Sequence, residues 1–332
     1  MRIALVSDAW LPQINGVVRT LMRTVDEIKV RGHEIRVFSP DLFRNLPCPT
    51  YSEIRLAVLP ARRLSALLDA FQPCAIHIAT EGPLGHAARR YCLVRRLSFT
   101  TAFHTRFPEY VKARTGLPLS AGYSVMRRFH APSSSVMVAT PSLEQELAER
   151  GFRNLRRWTR GVDTTLFHPR DKDFLDLPRP IHIYVGRVAV EKNVEAFLKL
   201  DLPGSKLVVG GGPQLAELRR RFPEVHFAGP KQGEDLARHY AAADVFVFPS
   251  RTDTFGLVLL EALASGLPVA AFPVPGPLDV INGSAVGFLD EDLGAAARRA
   301  LAVPAEACRD YALQFSWQRS SDQFLANLRP FA

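Results

Sequence analysis

Cysteine is scarce and unpatterned. The four residues, Cys48, Cys74, Cys92 and Cys308, show no C-x-x-C spacing. In a chain of 332 residues this argues against a disulfide framework or a zinc site and reads as reduced, cytosolic thiols. Long apolar runs are missing: no stretch approaches the roughly 20 residues that a membrane-crossing helix needs. The opening run Met1 to Ser7 is too short before Asp8 for a signal peptide. Glycine (21) and proline (25) are too few and too scattered for a fibrous or low-complexity chain. No G-x-G-x-x-G follows the first strand, which speaks against a nicotinamide dehydrogenase. No internal repeat and no metal-ligand cluster stands out, so neither a metal nor another cofactor is expected. Interleaved aromatics and nucleic-acid motifs are absent too, so no nucleic-acid partner is expected.

What is present suits a soluble α/β protein. Apolar residues make up 47% and charged residues 23%. At roughly 150 residues per domain the length suggests two domains, each able to bury a core. The net charge of +9 is unevenly shared. Residues 1–165 hold 24 Lys and Arg against 13 Asp and Glu, whereas residues 166–332 hold 18 against 20. A basic front half can attract nucleic acid, anionic lipid headgroups or acidic substrates. Of the 42 cations 35 are arginine, so base composition alone is the plainer explanation.

The chain alternates strand and helix. Arg2-Ile-Ala-Leu-Val-Ser7 is a short apolar run fit for a buried parallel strand, followed by a loop and an amphipathic helix over 17–31. Gly32 stands where a left-handed helix cap belongs, and Glu34 to Ser39 completes a strand–helix–strand unit. Further strands are read near 54–59, 75–79, 98–103, 135–139 and 154–158, with helices between them. Ser142 and Gln145 suggest a capping box. Residues 160–180 carry neither period and form a linker. The alternation restarts at Ile181 and ends in two helices, 304–313 and 317–329. The expected architecture is α/β with two doubly wound domains, whose ligands bind at the carboxyl ends of the strands, along facing edges that form a cleft.

Five places can carry chemistry. Gly16, in Asn15-Gly16-Val17, opens the first helix, where backbone N–H groups suit a phosphate, or it merely allows a tight turn. Gly186-Arg187 follows a strand, with Lys192 five residues on near a helix start at about Glu191. Two cations there suit a diphosphate; the plain alternative is a solvated helix start. Gly210-Gly-Gly-Pro213 permits close backbone approach to a ligand or to the facing domain, or is a flexible turn. In the run from Phe248 to Ala270, Asp253 lies in a loop and Glu261 inside a helix apolar nearly all round. A buried carboxylate needs partners, and two acceptors eight residues apart suit a hydroxyl-rich ligand, unless Glu261 serves only the core. His104, in Thr100-Thr-Ala-Phe-His-Thr-Arg106, would bind a substrate hydroxyl or act as a base, or is a core histidine. Glu81 is placed in the same way after another strand.

Phe248-Pro-Ser-Arg-Thr-Asp-Thr-Phe-Gly-Leu-Val-Leu-Leu-Glu-Ala-Leu-Ala-Ser-Gly-Leu-Pro-Val-Ala270 resembles the retaining GT-B glycosyltransferases of family 4. Val6-Ser-Asp-Ala-Trp-Leu-Pro-Gln-Ile-Asn-Gly16, Phe103-His-Thr105, Arg160-Gly-Val-Asp163, Val185-Gly-Arg187 with Lys192, and Val209 to Pro213 agree with it. The similarity spans about 1 to 329 and lies nearest the branch of sulfoquinovosyl and mannosyl transferases of membrane glycolipids.

The resemblance implies an acceptor-binding domain over 1–165, a nucleotide-sugar-binding domain over 166–314, and a helix over 315–332 returning to the first. It implies a UDP- or GDP-sugar donor. Glu261 would hold its ribose, Asp253 its sugar hydroxyls, and Arg187 and Lys192 its diphosphate beside Gly16. Phe255 and Gly256 would offer N–H groups to the sugar, and His104 would stand near sugar and acceptor, with Glu81 on the acceptor side. The family's first acid is usually Glu; here it is Asp253. Gly211 stands where an acidic residue is common. A metal-independent retaining hexosyltransferase is thereby expected. It would be cytoplasmic, peripheral on the inner face of an anionic membrane, with a lipid acceptor such as diacylglycerol. A soluble or polysaccharide acceptor is the alternative, and a basic membrane- or nucleic-acid-binding module on an inactive fold a remote one.

Overall fold

The computed structural model describes every residue except Ile14, Pro49, Thr50, Thr254, Asn282 and Ala332, and leaves the side chains of 51–53, 113 and 114 undescribed. It divides into two compact units: Met1–Arg160 with Trp317–Ala332, and Gly161–Ser316.

Unit 1 runs β1 (Arg2–Val6), α1 (Gly16–Val30), β2 (Glu34–Phe38), β3 (Asn45–Cys48), β4 (Tyr51–Ala57), α2 (Ala61–Phe71), β5 (Ala75–Ile78), α3 (Pro83–Arg95), β6 (Thr100–Ala102), α4 (Phe107–Thr115), α5 (Leu119–His130), β7 (Ser135–Val138), α6 (Pro141–Glu149) and β8 (Leu155–Arg157). Its six-stranded parallel sheet has the order β2-β1-β5-β6-β7-β8. Strands β5 and β7 are buried along their whole length, as apolar strands covered by helices on both faces must be.

The strand read near 54–59 is β4, and it does not join this sheet. It pairs antiparallel with β3 as a separate hairpin. Pro47 in β3 has no N–H to give a ladder, which a two-stranded ribbon tolerates and a central strand does not. The helix expected to be capped by Ser142 is capped by Thr140, whose hydroxyl accepts from Leu143 N at 3.3 Å. Pro141 supplies the first turn, where a missing N–H costs nothing.

Unit 2 runs β9 (Ile181–Val185), α7 (Val194–Leu198), β10 (Ser205–Val209), α8 (Leu215–Arg221), β11 (His226–Gly229), α9 (Gly233–Ala242), β12 (Val245–Phe248), α10 (Leu257–Ala264), β13 (Val269–Ala271), α11 (Pro275–Ile281), β14 (Gly287–Leu289), α12 (Leu293–Ala300) and α13 (Ala305–Ala312). Its parallel sheet has the order β11-β10-β9-β12-β13-β14, the order of a dinucleotide-binding fold. Between β8 and β9 the chain holds only a 3₁₀ turn at Lys172–Phe174.

The last helix, α14 (Trp317–Asn327), belongs to unit 1. Phe324 on α14 is fully buried with Ile3, Leu5 and Trp158. Its ring centroid lies 4.9 Å from Trp158 and 5.0 Å from His77. Thr159 N and Oγ1 both donate to Gln323, and Ser320 Oγ donates to Thr159 O. Among the described residues no helix is long and apolar enough to cross a membrane.

Candidate active site

In a doubly wound sheet, the strand order reverses at one place, and the loops leaving the two strands there splay apart to make room for a ligand. In unit 2 that place lies between β9 and β12. Arg187 and Lys192 leave β9; Asp253 leaves β12. The structure brings Lys192 and Asp253 together: Lys192 Nζ forms an ion pair with Asp253 Oδ1. Two more bonds join the same loops. Asn193 Nδ2 donates to Pro249 O at 3.1 Å, and Thr252 Oγ1 donates to Glu191 O at 3.1 Å. The helix expected from Glu191 is interrupted. Val190–Lys192 is a 3₁₀ turn, Asn193 takes φ 53°, and α7 begins only at Val194. The break places Lys192 on a turn over the β12 loop rather than along a helix face.

Tyr184 steadies the other cation's backbone, its hydroxyl donating to Arg187 O at 2.8 Å. Burial pushes that phenol well above its ordinary pKa, and the charges of Asp253 and Glu191 add to the rise.

The glycines at 210–212 serve the unit's own backbone. A Cβ on Gly210 would strike Gly186 O, and one on Gly212 would strike Val188 O. Val188 N donates to Gly211 O and Gln214 N to Val188 O, so the two loops interlock at van der Waals distance. Gly211 is different: the nearest atom to its Cβ would be Pro230, 3.8 Å away. Gly210→Ala and Gly212→Ala are each expected to destabilise unit 2 by about 2–4 kcal/mol, and Gly211→Ala by less than about 1 kcal/mol. Urea unfolding of the three variants checks this; equal effects would refute the interlock.

Glu261 lies in α10 and is 6% exposed. One partner for the buried carboxylate is Tyr240, whose hydroxyl donates to Oε2 at 3.0 Å. Phe255 is buried, and Gly256 precedes α10 at φ 83°.

Gly16, Glu81 and His104 stand in unit 1, where the sheet order reverses between β1 and β5. Asp8 bridges that point. Its carboxylate accepts from Leu84 N (2.9 Å), Gly85 N (3.2 Å) and Thr80 Oγ1 (3.0 Å) at the start of α3. Burial raises its pKa against the pull of those bonds. Gly16 is the exposed first residue of α1, whose cap is Asn15: Oδ1 accepts from Val18 N at 3.0 Å. Glu81 Oε1 lies 3.1 Å from His130 Nε2, and His130 Nδ1 lies 2.9 Å from Thr101 Oγ1. His104 Nδ1 lies 3.2 Å from Arg160 Nη2. Glu81 thus bonds His130, and a charge on His130 would lower the His104 pKa.

A family model described as Glycosyltransferase Family 4 matches residues 14–166, and one described as Glycosyl transferases group 1 matches residues 179–303. The GDP-mannose-dependent alpha-mannosyltransferase of Mycolicibacterium smegmatis is 30% identical over 318 residues, covering 87% of this chain and 84% of that protein. The chain belongs to glycosyltransferase family 4. Other relatives of this family 4 glycosyltransferase include the sulfoquinovosyl transferase SQD2 of Arabidopsis thaliana, 31% identical over 72% of this chain and 50% of that one. The alpha-monoglucosyldiacylglycerol synthase of Streptococcus pneumoniae is 25% identical over 91% and 78%. Among solved structures, sucrose-phosphate synthase from Thermosynechococcus elongatus aligns with a TM-score of 0.78 at 21% identity, covering 98% of this chain and 97% of that one. The two Rossmann-like domains are those of the GT-B fold.

Three residues of the family 4 chain escape a reading by spacing. Arg160 reads as the first linker residue, yet it is 5% exposed. Asp8 reads as the polar end of an apolar run. Tyr240 is not singled out by the sequence. An arginine two residues after Trp158, which follows β8, is the one local signal in the sequence.

Proposed function

We propose that the protein is a retaining hexosyltransferase that moves a sugar from a UDP- or GDP-sugar to a hydroxyl of a membrane lipid such as diacylglycerol. The observation that carries the donor half is the junction of β9 and β12, where Lys192 and Asp253 meet with Arg187 on the neighbouring turn. Arg187 and Lys192 would bind the diphosphate, which gains negative charge as the C1–O bond breaks. Asp253 would accept from sugar hydroxyls and Glu261 from the ribose, with Phe255 and Gly256 presenting N–H groups. In unit 1, the N–H groups of α1 at Gly16 suit phosphate oxygens. Glu81 and His104 would hold the acceptor side. The names of the mannosyltransferases and the UDP-bound HepE of Anabaena, TM-score 0.73 and 14% identical, support a nucleotide-sugar donor. The sulfoquinovosyl transferase and the monoglucosyldiacylglycerol synthase, with the excess of arginine in residues 1–165, support a lipid acceptor at an anionic membrane surface, on its cytoplasmic side.

Nucleotide release from a panel of UDP- and GDP-sugars, with and without diacylglycerol in anionic vesicles, tests the reading. One donor is expected to respond, and release is expected to rise with vesicles and to fall in high salt. Vesicle-independent turnover removes the lipid acceptor; silence from every donor overturns the activity. The cations take the charge of the leaving group in this proposal, so EDTA is expected to leave the rate unchanged. A loss restored by added divalent metal would overturn that part.

A further inference from the structure

We propose that Arg160 is a positioning residue that fixes His104 as a neutral imidazole with its proton on Nε2, so that the ring acts as a hydrogen-bond donor and not as a base. The inference rests on the glycosyltransferase reading only for what that donor is used for. The geometry stands without it. Arg160 is 5% exposed and His104 9%. Arg160 Nη1 donates to Trp158 O at 2.6 Å and Thr159 O at 3.2 Å, which clamps the guanidinium. Its plane lies over the Trp158 ring, 4.5 Å from the centroid. Nη2 then points at His104 Nδ1 from 3.2 Å.

A guanidinium carries only donors. The nitrogen facing it must accept, and a neutral imidazole has one acceptor nitrogen, so the ring proton sits on the other. A doubly protonated ring would set N–H against N–H and one buried cation against another. Among the described residues Arg160 has no ion-pair partner, so its own charge is not offset by a bonded carboxylate. Arg160, His77 and His130 each act to lower the His104 pKa, and the edge of Trp158 lies 5.5 Å from it. Burial, then Arg160, holds the His104 pKa well below the usual histidine range. Burial brings Arg160 itself down to about 9, so it is still a cation at neutral pH.

The chemical consequence is a division of labour. His104 at the end of β6 offers an N–H to an oxygen of sugar or acceptor, and the acceptor's proton leaves by another group. Arg160 sets that choice through the ring and need not touch a substrate.

Long-range ¹H–¹⁵N correlation on ¹⁵N-histidine-labelled full-length protein reads the tautomer directly. The His104 signals are those lost in His104→Gln. The expected wild-type spectrum shows the Nε2–H form, unchanged from about pH 5.5 to about 8.5. In Arg160→Met the Nδ1–H form is expected to appear, and kcat to fall about tenfold to a hundredfold with donor KM changed by less than about twofold. Arg160→Lys keeps a charged donor and is expected to keep the tautomer. A wild-type His104 that titrates in that range, or carries Nδ1–H, overturns the proposal, as does an unchanged tautomer in Arg160→Met. Should that variant fail to fold, the wild-type spectrum decides alone. The spectrum needs no substrate, so an expected tautomer with no glycosyl transfer would count against the functional reading and not against Arg160.

Discussion

Replacing Lys192 by alanine is expected to slow glycosyl transfer by about a hundredfold to a thousandfold while the protein stays folded. The ammonium sits on a turn at the carboxyl end of β9, held over the β12 loop by Asp253. When the bond to the departing nucleotide breaks, charge grows on the diphosphate. A fixed cation in a partly dry site answers that charge without reorganising. Loss of one such preorganised group costs about 3–4 kcal/mol in the barrier. The stability cost is smaller, about 1–2 kcal/mol, because the pair is partly buried, its side chains 21% and 17% exposed, between a surface pair and a fully buried one. Nucleotide release and thermal unfolding, measured on the same sample, separate the two. Near-normal turnover in the variant would remove Lys192 from the chemistry.

The second large effect is on stability. Phe324→Ala is expected to destabilise unit 1 by about 3–5 kcal/mol, the usual cost of removing a fully buried aromatic ring. Phe324 shares one buried cluster with strand residues from the other end of the chain, Ile3 and Leu5, and packs its ring against Trp158 and His77. The neighbouring contacts are polar and modest: Arg31 to Asp322 at 3.1 Å, and Gln323 and Ser320 to Thr159. They orient α14 but do not replace the ring. Guanidinium unfolding is the measurement, and a loss below about 1 kcal/mol would show α14 to be an appendage.

Most of the fold follows from local pattern because its strands are short, apolar and buried on both faces. β1, β5, β7, β9 and β12 each announce themselves as four or five consecutive apolar residues or nearly so. Elements without that signature escaped: β3, which contains Pro47; α11, which opens Pro-Gly-Pro; and β14, three half-buried residues. The residues of the site were legible as types at strand ends. Their partners were not, because every decisive contact is distant in sequence. Lys192 meets Asp253 across 61 residues, Tyr240 meets Glu261 across 21, and Arg160 meets His104 across 56. The three glycines at 210–212 invited one explanation and received two: Gly210 and Gly212 yield to backbone, whereas Gly211 yields to nothing.

The division of the chain has a consequence for how the protein is made. Unit 1 is interrupted by the whole of Gly161–Ser316 and finished by the residues that follow. On a ribosome adding roughly 5–20 residues per second, residues 1–160 wait about 10–30 s for α14. Throughout that interval Trp158, Ile3 and Leu5 lack the ring that covers them. Unit 2, by contrast, is contiguous and holds all its strands before the last helix emerges. The later half therefore completes its fold first. The nascent front half is the stretch that needs shielding by a chaperone, and a stop codon placed just before Trp317 would release a chain with one finished domain and one open core.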